Sequence, residues 1–175
     1  MPASKLKKYI REIPDYPQKG ILFYDITTLL SHPQAFSQAI DLMCQKVSHL
    51  PIDKIVGIES RGFIFASAMA QKLGVGFVPI RKKGKLPYKT ISHKYDLEYG
   101  QDQIEIHADA VNRHEKVLLV DDLLATGGTA LAAVKLLDKL NADLLGLSFL
   151  IELSFLPGRK KLKNHPIFSI LSYNQ

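Results

Sequence analysis

Four short apolar segments, each next to a polar turn, constrain the fold of this chain most strongly. They are Lys54–Ile58, Gly76–Ile80, Val117–Val120 and Asp143–Ile151. Helical spacing of apolar residues predicts helices from Pro33, over Phe63–Leu73 and from about Thr129 to Leu140. Apolar strands that alternate with helices are typical of a parallel sheet covered on both faces. The sequence therefore predicts an α/β fold with a Rossmann-like central parallel sheet flanked by helices, which binds its ligands beyond the carboxyl ends of the strands.

Length and composition fit a single domain over residues 1–175. The apolar fraction is 46% and the charged fraction 23%, both ordinary for a globular protein. The apolar stretches are too short to cross a bilayer, and Met1–Arg11 has no apolar signal-peptide core. The single cysteine, Cys44, cannot form an internal disulfide and lies on the apolar face of the helix from Pro33. We therefore expect a cytoplasmic protein that does not bind membranes.

Basic residues give the chain a net charge of +6 and lie mainly in two clusters. The first contains no acid and consists of Arg81, Lys82, Lys83, Lys85, Lys89 and Lys94. The second comprises Arg159, Lys160, Lys161 and Lys163 and is interpreted as a solvated surface. Clusters of this kind favour an anionic partner, and a nucleic acid and a small polyphosphate explain the first cluster equally well.

The segment Val117–Thr129 carries the strongest functional signal. A buried strand is followed by two acids, Asp121 and Asp122, and then by a bend with two glycines, Ala125–Thr129, which we call the diglycine bend. Its glycines let backbone N–H groups approach an anion closely, and the positive end of the next helix points to the same place. The aspartates would repel a phosphate but suit ribose hydroxyls, or a magnesium ion contacted directly or through water. This pattern predicts a sugar-phosphate site, and it is not a Walker P-loop, because Thr129 stands where that loop needs lysine.

The stretch Lys82–His107 interrupts the alternation of strands and helices. It is basic and then rich in tyrosine, and only Gln103–His107 alternates like a half-exposed strand. Long irregular segments in compact domains are usually functional or disordered. We expect a flexible flap, over about residues 82–107, that closes over the ligand.

At this point a family resemblance is plain. Val117–Thr129 resembles the motif with which type I phosphoribosyltransferases bind 5-phosphoribosyl-1-pyrophosphate (PRPP). Further segments resemble the adenine phosphoribosyltransferase family in order and spacing: Phe23–Thr27, Glu59–Phe63, Arg81–Pro87 and Leu97–Gly100. The resemblance implies the type I phosphoribosyltransferase fold, with a small N-terminal hood over about residues 1–30 and a catalytic flap. It also implies a pentosyltransferase that converts adenine and PRPP to AMP and pyrophosphate in purine salvage, with Mg²⁺, as a homodimer that does not bind nucleic acid.

The same resemblance assigns the residues that bind PRPP and AMP. They are Ser60, Arg61, Arg81, Lys82, Lys85, Asp121, Asp122, Ala125, Thr126, Gly127, Gly128 and Thr129. The diglycine bend would hold the 5′-phosphate, and the two aspartates would hold the ribose hydroxyls. The basic residues would neutralise the pyrophosphate, with Arg81 reaching into the neighbouring subunit's site. Magnesium would bind through PRPP, with Asp121 and Asp122 contacting it through water.

The adenine contacts follow from the resemblance in the same way. Phe23 would stack on adenine, Leu153 would pack against its other face, and backbone groups of Leu22 and Arg61 would read the purine edge. One position departs from the family, because Tyr24 stands where an arginine is usual. We therefore expect a positive charge to be missing near the base or the flap.

Three residues are implied to be catalytic: Glu98, Tyr99 and Arg61. The ring nitrogens of adenine need proton transfer during attack, and Glu98 on the flap would act as acid or base, or would orient the base. Closure of the flap would exclude the water that otherwise hydrolyses PRPP.

Two other functions stay open. The first is transfer to another purine or pyrimidine; oxopurine enzymes commonly need a lysine or another donor for the exocyclic oxygen, and residues 151–158 contain none, which favours adenine. The second is a regulator on the same fold that senses PRPP and binds nucleic acid, although the chain has no spare length for a helix-turn-helix domain. A Rossmann-type dinucleotide enzyme is disfavoured because no G-x-G-x-x-G follows a strand.

Overall fold

The structure is a computed structural model that describes residues 2–96 and 100–174. After a 3₁₀ helix over Ala3–Tyr9, the helices of the described residues are α1 (Thr27–Leu30), α2 (Pro33–Val47), α3 (Gly62–Leu73), α4 (Gly128–Lys139) and α5 (Gly158–Lys161). The strands are β1 (Arg11–Pro14), β2 (Leu22–Asp25), β3 (Lys54–Ile58), β4 (Gly76–Lys82), β5 (Thr90–Asp96), β6 (Gln101–His107), β7 (Lys116–Leu124), β8 (Asp143–Leu153) and β9 (Ile167–Tyr173).

Seven strands form the central sheet, in the order β5-β6-β4-β3-β7-β8-β9. Five neighbouring strands pair in parallel: β4, β3, β7, β8 and β9. The remaining strand pairs are antiparallel, because β6 pairs antiparallel with both β4 and β5. The predicted α/β fold with a parallel central sheet is therefore confirmed, with an antiparallel hairpin added at one edge. A separate two-stranded sheet, β1 with β2, belongs to the N-terminal part of the chain.

The hairpin is more regular than the sequence predicted. All seven residues of β5 pair with β6, from Thr90 opposite His107 to Asp96 opposite Gln101. The predicted strand Gln103–His107 is thus present and two residues longer. The expectation of an irregular segment was wrong for Thr90–Asp96, which forms β5, whereas residues 83–89 are turn and loop as expected. Lys82 itself ends β4. The cross-strand pairs supply the backbone hydrogen bonds that an irregular segment would lack.

Helices cover both faces of the sheet. Along β7, Leu118 and Val120 pack into the core under α2 and α3, whereas Val117 and Leu119 pack into the core under α4. All four side chains are fully buried. Because both faces of the strand are covered, it reads as a continuous apolar run rather than an alternating one.

Local signals in the sequence fix the ends of the helices. Pro33 occupies the first turn of α2, and the side chain of His32 accepts a hydrogen bond from the Ala35 amide at 3.3 Å. Cys44 lies on the buried face of α2, which confirms its predicted place in the core. Helix α3 ends at Gly74, whose φ of 69° is readily adopted only by glycine. Across the described residues, none of these helices is both long and apolar enough to span a membrane.

Candidate active site

A cavity of about 380 Å³ lies at the carboxyl ends of β3 and β7. It is lined by Ile58, Glu59, Ser60, Arg61, Lys82, Tyr95, Asp102 and residues 121–130. Ligands of parallel α/β sheets bind at this edge, because the loops that follow the strands converge there. The cavity brings together the two predicted aspartates, the diglycine bend and the Ser60–Arg61 turn.

The diglycine bend joins the end of β7 to the start of α4. Gly127 has a φ of 78°, a left-handed conformation that favours glycine, and Gly128 is the first residue of α4. A Cβ on Gly127 would lie 2.9 Å from the Cα of Gly158, so the bend is also packed closely from behind. The bend lines the cavity together with the N-terminal end of a twelve-residue helix. Free backbone amides and the helix dipole together make this an anion-binding geometry.

The two aspartates lie within β7, not in the loop that the sequence predicted. The strand extends four residues past the predicted Val117–Val120, and Leu123 and Leu124 still pair with β8. The Asp121 carboxylate accepts a hydrogen bond from the Asp122 amide at 2.9 Å. The Arg61 Nε lies 2.9 Å from the Asp122 carboxylate. A strand holds these acids more rigidly than a loop would.

Burial raises the pKa of both carboxyl groups of this pair. Burial, and then the neighbouring Asp122 carboxylate, raises the pKa of Asp121 well above its ordinary value. Burial also raises the pKa of Asp122, against the opposing effect of Arg61. Two adjacent carboxyl groups with raised pKa values are suited to hydroxyl groups, which can both donate to a carboxylate and accept from a carboxylic acid.

Gly62 is a residue that the sequence interpretation did not assign. It begins α3 directly after the Ser60–Arg61 turn, and a Cβ at this position would lie 2.6 Å from the Asp121 carboxylate oxygen. A larger residue would therefore push α3 away from the acidic pair. The only signal in the sequence was a glycine at the start of a predicted helix, which is not specific.

The basic residues predicted to bind pyrophosphate converge on one carboxylate, Glu59. Lys85 forms a close ion pair with Glu59, the Lys82 amide donates to it at 2.9 Å, and the Arg81 Nε lies at 3.4 Å. Burial opposes ionisation of Glu59, but these hydrogen bonds from Lys85, Lys82 and Arg81 lower its pKa overall. Of the three cations, only Lys82 lines the cavity itself. Arg81 and Lys85 lie beside it, held on Glu59.

A second carboxylate, Asp102 on β6, holds the side chain of Lys82. The two charged groups are 2.8 Å apart, and this hydrogen bond is the main reason that the pKa of Asp102 is lowered and that of Lys82 raised. The Tyr95 hydroxyl lies 3.3 Å from Asp102 and 3.4 Å from the hydroxyl of Thr129. Sequence reasoning did not assign Asp102 and Tyr95 to the site, because their partners are distant in the chain. Asp102 lies 20 residues from Lys82, and Tyr95 lies 34 residues from Thr129.

The predicted purine-binding residues lie to one side of this cavity. Leu22 and Phe23 lie on β2, and the guanidinium of Arg61 lies 5.2 Å from the centre of the Phe23 ring. Arg61 thus contacts the predicted stacking residue and the acidic pair at once. Leu153 ends β8 and is buried. Leu22, Phe23 and Leu153 are not among the residues that line the cavity.

Tyr24, which stands where the family usually has arginine, lies in the core. The side chain is 4% exposed and packs against the Tyr173 ring, with 4.2 Å between ring centroids. Successive residues of a strand point to opposite faces, so Phe23 faces the site and Tyr24 faces the core. The position is therefore part of the core packing in this chain, and a charge missing from the base or the flap stays a prediction.

The predicted catalytic residues Glu98 and Tyr99 lie outside the described residues. They fall between β5 and β6, whose ends Asp96 and Gln101 are described and paired. Their roles stay predictions.

Comparisons with known proteins agree with this geometry. Residues 25–173 match the family model described as a phosphoribosyl transferase domain. An adenine phosphoribosyltransferase from Brachyspira hyodysenteriae is 57% identical over 97% of this chain and 99% of the relative.

Two solved structures resemble the whole chain. An adenine phosphoribosyltransferase from Thermoanaerobacter pseudethanolicus has a TM-score of 0.95 at 48% identity, covering 98% of this chain and 99% of that one. The enzyme of the same name from Saccharomyces cerevisiae has a TM-score of 0.91 at 44% identity, covering 97% and 98%. The latter is in complex with adenine and D-2,5-dideoxy-2,5-imino-altritol 1,6-bisphosphate.

Proposed function

This chain belongs to the type I phosphoribosyltransferase family, among the adenine phosphoribosyltransferases, and from this premise we propose how it works. It is a pentosyltransferase that converts adenine and PRPP to AMP and pyrophosphate in purine salvage. One observation carries the site assignment: the diglycine bend and the Asp121–Asp122 pair line the same cavity. An anion site and a hydroxyl site side by side match a phosphorylated ribose.

The ribose phosphate occupies this pair of sites. Backbone amides of the diglycine bend donate to the 5′-phosphate, and the hydroxyls of Thr126 and Thr129 add further donors. Asp121 and Asp122 hold the ribose hydroxyls, and the pairing with Arg61 orients the second carboxylate. The sugar is thereby fixed at both ends, which aligns its anomeric carbon for attack.

The leaving pyrophosphate is held by Arg61, Arg81, Lys82 and Lys85. Departure of this group builds negative charge, and preorganised cations stabilise such charge where it develops. In the structure three of these cations are already held by the carboxylates of Glu59 and Asp102. These two acids keep the cations near the cavity, so that little reorganisation is needed when the anion arrives.

Magnesium belongs to this proposal as an ion carried by PRPP. Among the described residues, no three His, Cys, Asp or Glu side chains come together to form a metal cage. The adjacent carboxylates of Asp121 and Asp122 are a partial donor set, and Mg²⁺ is usually held by one or two carboxylates together with substrate phosphates and water. The donor set fits an ion that the two aspartates contact through water. When bound, the ion would offset negative charge on the pyrophosphate.

Adenine lies against Phe23, with Leu153 on its other face and the backbone of Leu22 and Arg61 at its edge. The guanidinium near the Phe23 ring supports this arrangement, because it couples the stacking residue to the acidic pair that holds the sugar. Glu98 serves as the acid or base at the ring nitrogens, or orients the base, and Tyr99 is the second catalytic residue that the family resemblance implies in this segment. Closure of the flap excludes water.

The active form is a homodimer in the cytoplasm. One face of β4 supports the dimer: Val78 and Ile80 are buried on the sheet's inner side, whereas Phe77 is 37% exposed. Ile64, on the neighbouring helix α3, is also 37% exposed. Arg81 shares the exposed face of β4 with Phe77, because side chains alternate along a strand. A second copy covering Phe77 would therefore lie next to Arg81, as expected if Arg81 reaches the neighbouring site.

A turnover assay tests this function. The protein is mixed with PRPP, Mg²⁺ and one base at a time: adenine, hypoxanthine, guanine, xanthine or uracil. We expect AMP and pyrophosphate in equal amounts with adenine, slow or no turnover with the other bases, and loss of turnover when EDTA removes the metal. Efficient transfer to another base would change the substrate. PRPP that binds but is not consumed with adenine would instead identify a regulator.

A further inference from the structure

An ion-pair cluster around one buried carboxylate lies behind the active site, and the proposed chemistry does not use it. Glu152, near the end of β8, accepts two hydrogen bonds from Arg159 and one from Ser169. The distances are 2.6, 2.6 and 2.7 Å. We call these three residues the Glu152 cluster. The Arg159 side chain is 52% exposed, in line with the expected solvated surface, but its guanidinium also pairs with a carboxylate whose side chain is only 6% exposed.

Burial of the Glu152 carboxylate costs free energy that its partners must offset. A carboxylate removed from water loses its hydration and is stabilised only by charged partners and good hydrogen bonds. Arg159 supplies both through its two-pronged contact, the strong geometry for this pair. Ser169 on β9 satisfies a further lone pair, so the cluster ties together β8, α5 and β9.

Through α5 the cluster reaches the diglycine bend. Gly158, next to Arg159, donates its amide to the carbonyl of Ala125 at 3.1 Å. A Cβ on Gly158 would lie 2.3 Å from that same carbonyl oxygen, and a Cβ on Gly127 would lie 2.9 Å from the Cα of Gly158. The start of α5 is thus the surface against which the bend is built. No room separates the two, so a shift of α5 moves the bend.

The cluster also adjoins the base side of the site. Leu153, the proposed adenine contact, directly follows Glu152 in β8. Between Leu153 and Arg159 the chain makes a short connection in which Phe155 is 51% exposed and contributes little packing. Ser154 attaches the start of this connection to Tyr173 of β9, with a backbone hydrogen bond of 2.9 Å, and Arg159 attaches its far end to Glu152 of β8.

We propose that Glu152, Arg159 and Ser169 are positioning residues that hold α5 behind the diglycine bend and thereby fix the bend's amides for the 5′-phosphate. This inference rests on the proposed function, since it names PRPP as the ligand of the bend. None of the three residues lines the cavity, so they act through Gly158 and not by contact with substrate. Their loss should affect binding of PRPP more than binding of adenine.

Arg159→Met tests the inference, with Lys160→Met as its matched control. Both changes remove one positive charge from an exposed residue of α5, but Lys160 lies outside the cluster. We expect Arg159→Met to raise the KM for PRPP about 10- to 100-fold, the size of effect expected when one hydrogen bond to a charged phosphate is lost, with a smaller change in the KM for adenine. Lys160→Met should leave both KM values within about twofold. Equal PRPP affinity in Arg159→Met and the wild type would overturn the proposal.

Further variants keep the test decisive where Arg159→Met destabilises the fold. Glu152→Gln and Arg159→Lys retain size and part of the hydrogen bonding, and thermal unfolding identifies the variants that are folded. In these variants we expect an intermediate rise in the KM for PRPP. In the double variant Glu152→Gln, Arg159→Lys, the free-energy change in PRPP binding should be smaller than the sum of the two single changes, because paired residues are not independent. Full additivity, or a fall in kcat alone, would contradict a positioning role. If wild-type protein itself fails to bind PRPP, the proposed function fails instead.

Discussion

Gly127→Ala is the sharpest test of the diglycine bend, because the structure gives both sources of its effect. Gly127 has a φ of 78°, where an alanine costs ~1–2 kcal/mol. Its new Cβ would lie 2.9 Å from the Cα and 3.1 Å from the carbonyl oxygen of Gly158. Those neighbours are backbone atoms that cannot rotate aside, and overpacking of this kind costs ~1–3 kcal/mol.

The two costs add to ~2–5 kcal/mol if the bend keeps its native shape. The empty protein can avoid this by letting the bend move away from Gly158. PRPP binding would then have to restore the native bend, so the cost appears as lost affinity. At about 1.4 kcal/mol for each factor of ten, the lower end corresponds to roughly a 30-fold rise in the dissociation constant. The effect on thermal stability should be smaller.

Gly74→Ala is the matched control. Gly74 has a φ of 69° and would also be strained by alanine, but nothing lies within 4 Å of its Cβ, and it ends α3 away from the cavity. Calorimetric titration of both variants with PRPP separates the two effects. We expect Gly74→Ala to bind PRPP like the wild type while losing some stability. The proposed role of the diglycine bend would be wrong if the PRPP affinity of Gly127→Ala stayed within about twofold of that of the wild type. It would also be wrong if Gly74→Ala lost as much PRPP affinity as Gly127→Ala.

Four further predictions follow from the site. Asp122→Asn keeps the shape but not the charge that Arg61 contacts; PRPP affinity measured by calorimetry should fall ~10- to 100-fold, and unchanged affinity would reject the ribose role. Glu98→Gln should lower kcat ~10²–10⁴-fold with little change in PRPP affinity, and near-normal turnover would exclude Glu98 as the acid or base. Chiefly through the hydrogen bond from Arg159, the pKa of Glu152 lies below its ordinary value of 4.5, so its stabilisation is present above pH 4.5 and is lost as the pH falls through the lowered pKa. Urea midpoints of the wild type should therefore fall more steeply below pH 4.5 than those of Glu152→Gln, and parallel curves would contradict this. If the protein is the proposed dimer, Phe77→Asp should convert it to monomer in sedimentation experiments, and an unchanged dimer would place the interface elsewhere.

The parts of the fold set by burial were predictable from the sequence. Strand β3 occupies the predicted Lys54–Ile58 residue for residue, because a strand covered on both faces is apolar throughout. The end of α3 at Gly74 could likewise be predicted, because glycine tolerates the left-handed conformation that often ends a helix. The diglycine bend could be located for the same reason, since its glycines serve a local backbone requirement.

Features that depend on distant partners could not be predicted. Strand β7 continues through Asp121 and Asp122 because Leu123 and Leu124 pair with β8, and acids are poor strand formers on their own. The attachment of Lys82 to Asp102 and of Lys85 to Glu59 joins residues 20 and 26 positions apart. By contrast, the burial of Tyr24 was readable from the alternation of strand faces next to Phe23. The prediction for Tyr24 rested on the missing family arginine and did not use this alternation.

A crystal structure of the protein with PRPP and Mg²⁺ tests the central claim most directly. We expect the 5′-phosphate within ~3 Å of the backbone amides of Thr126–Thr129, and the ribose hydroxyls hydrogen-bonded to the carboxylates of Asp121 and Asp122. A phosphate bound elsewhere, with the diglycine bend empty and the two carboxylates still paired only with Arg61, would contradict it.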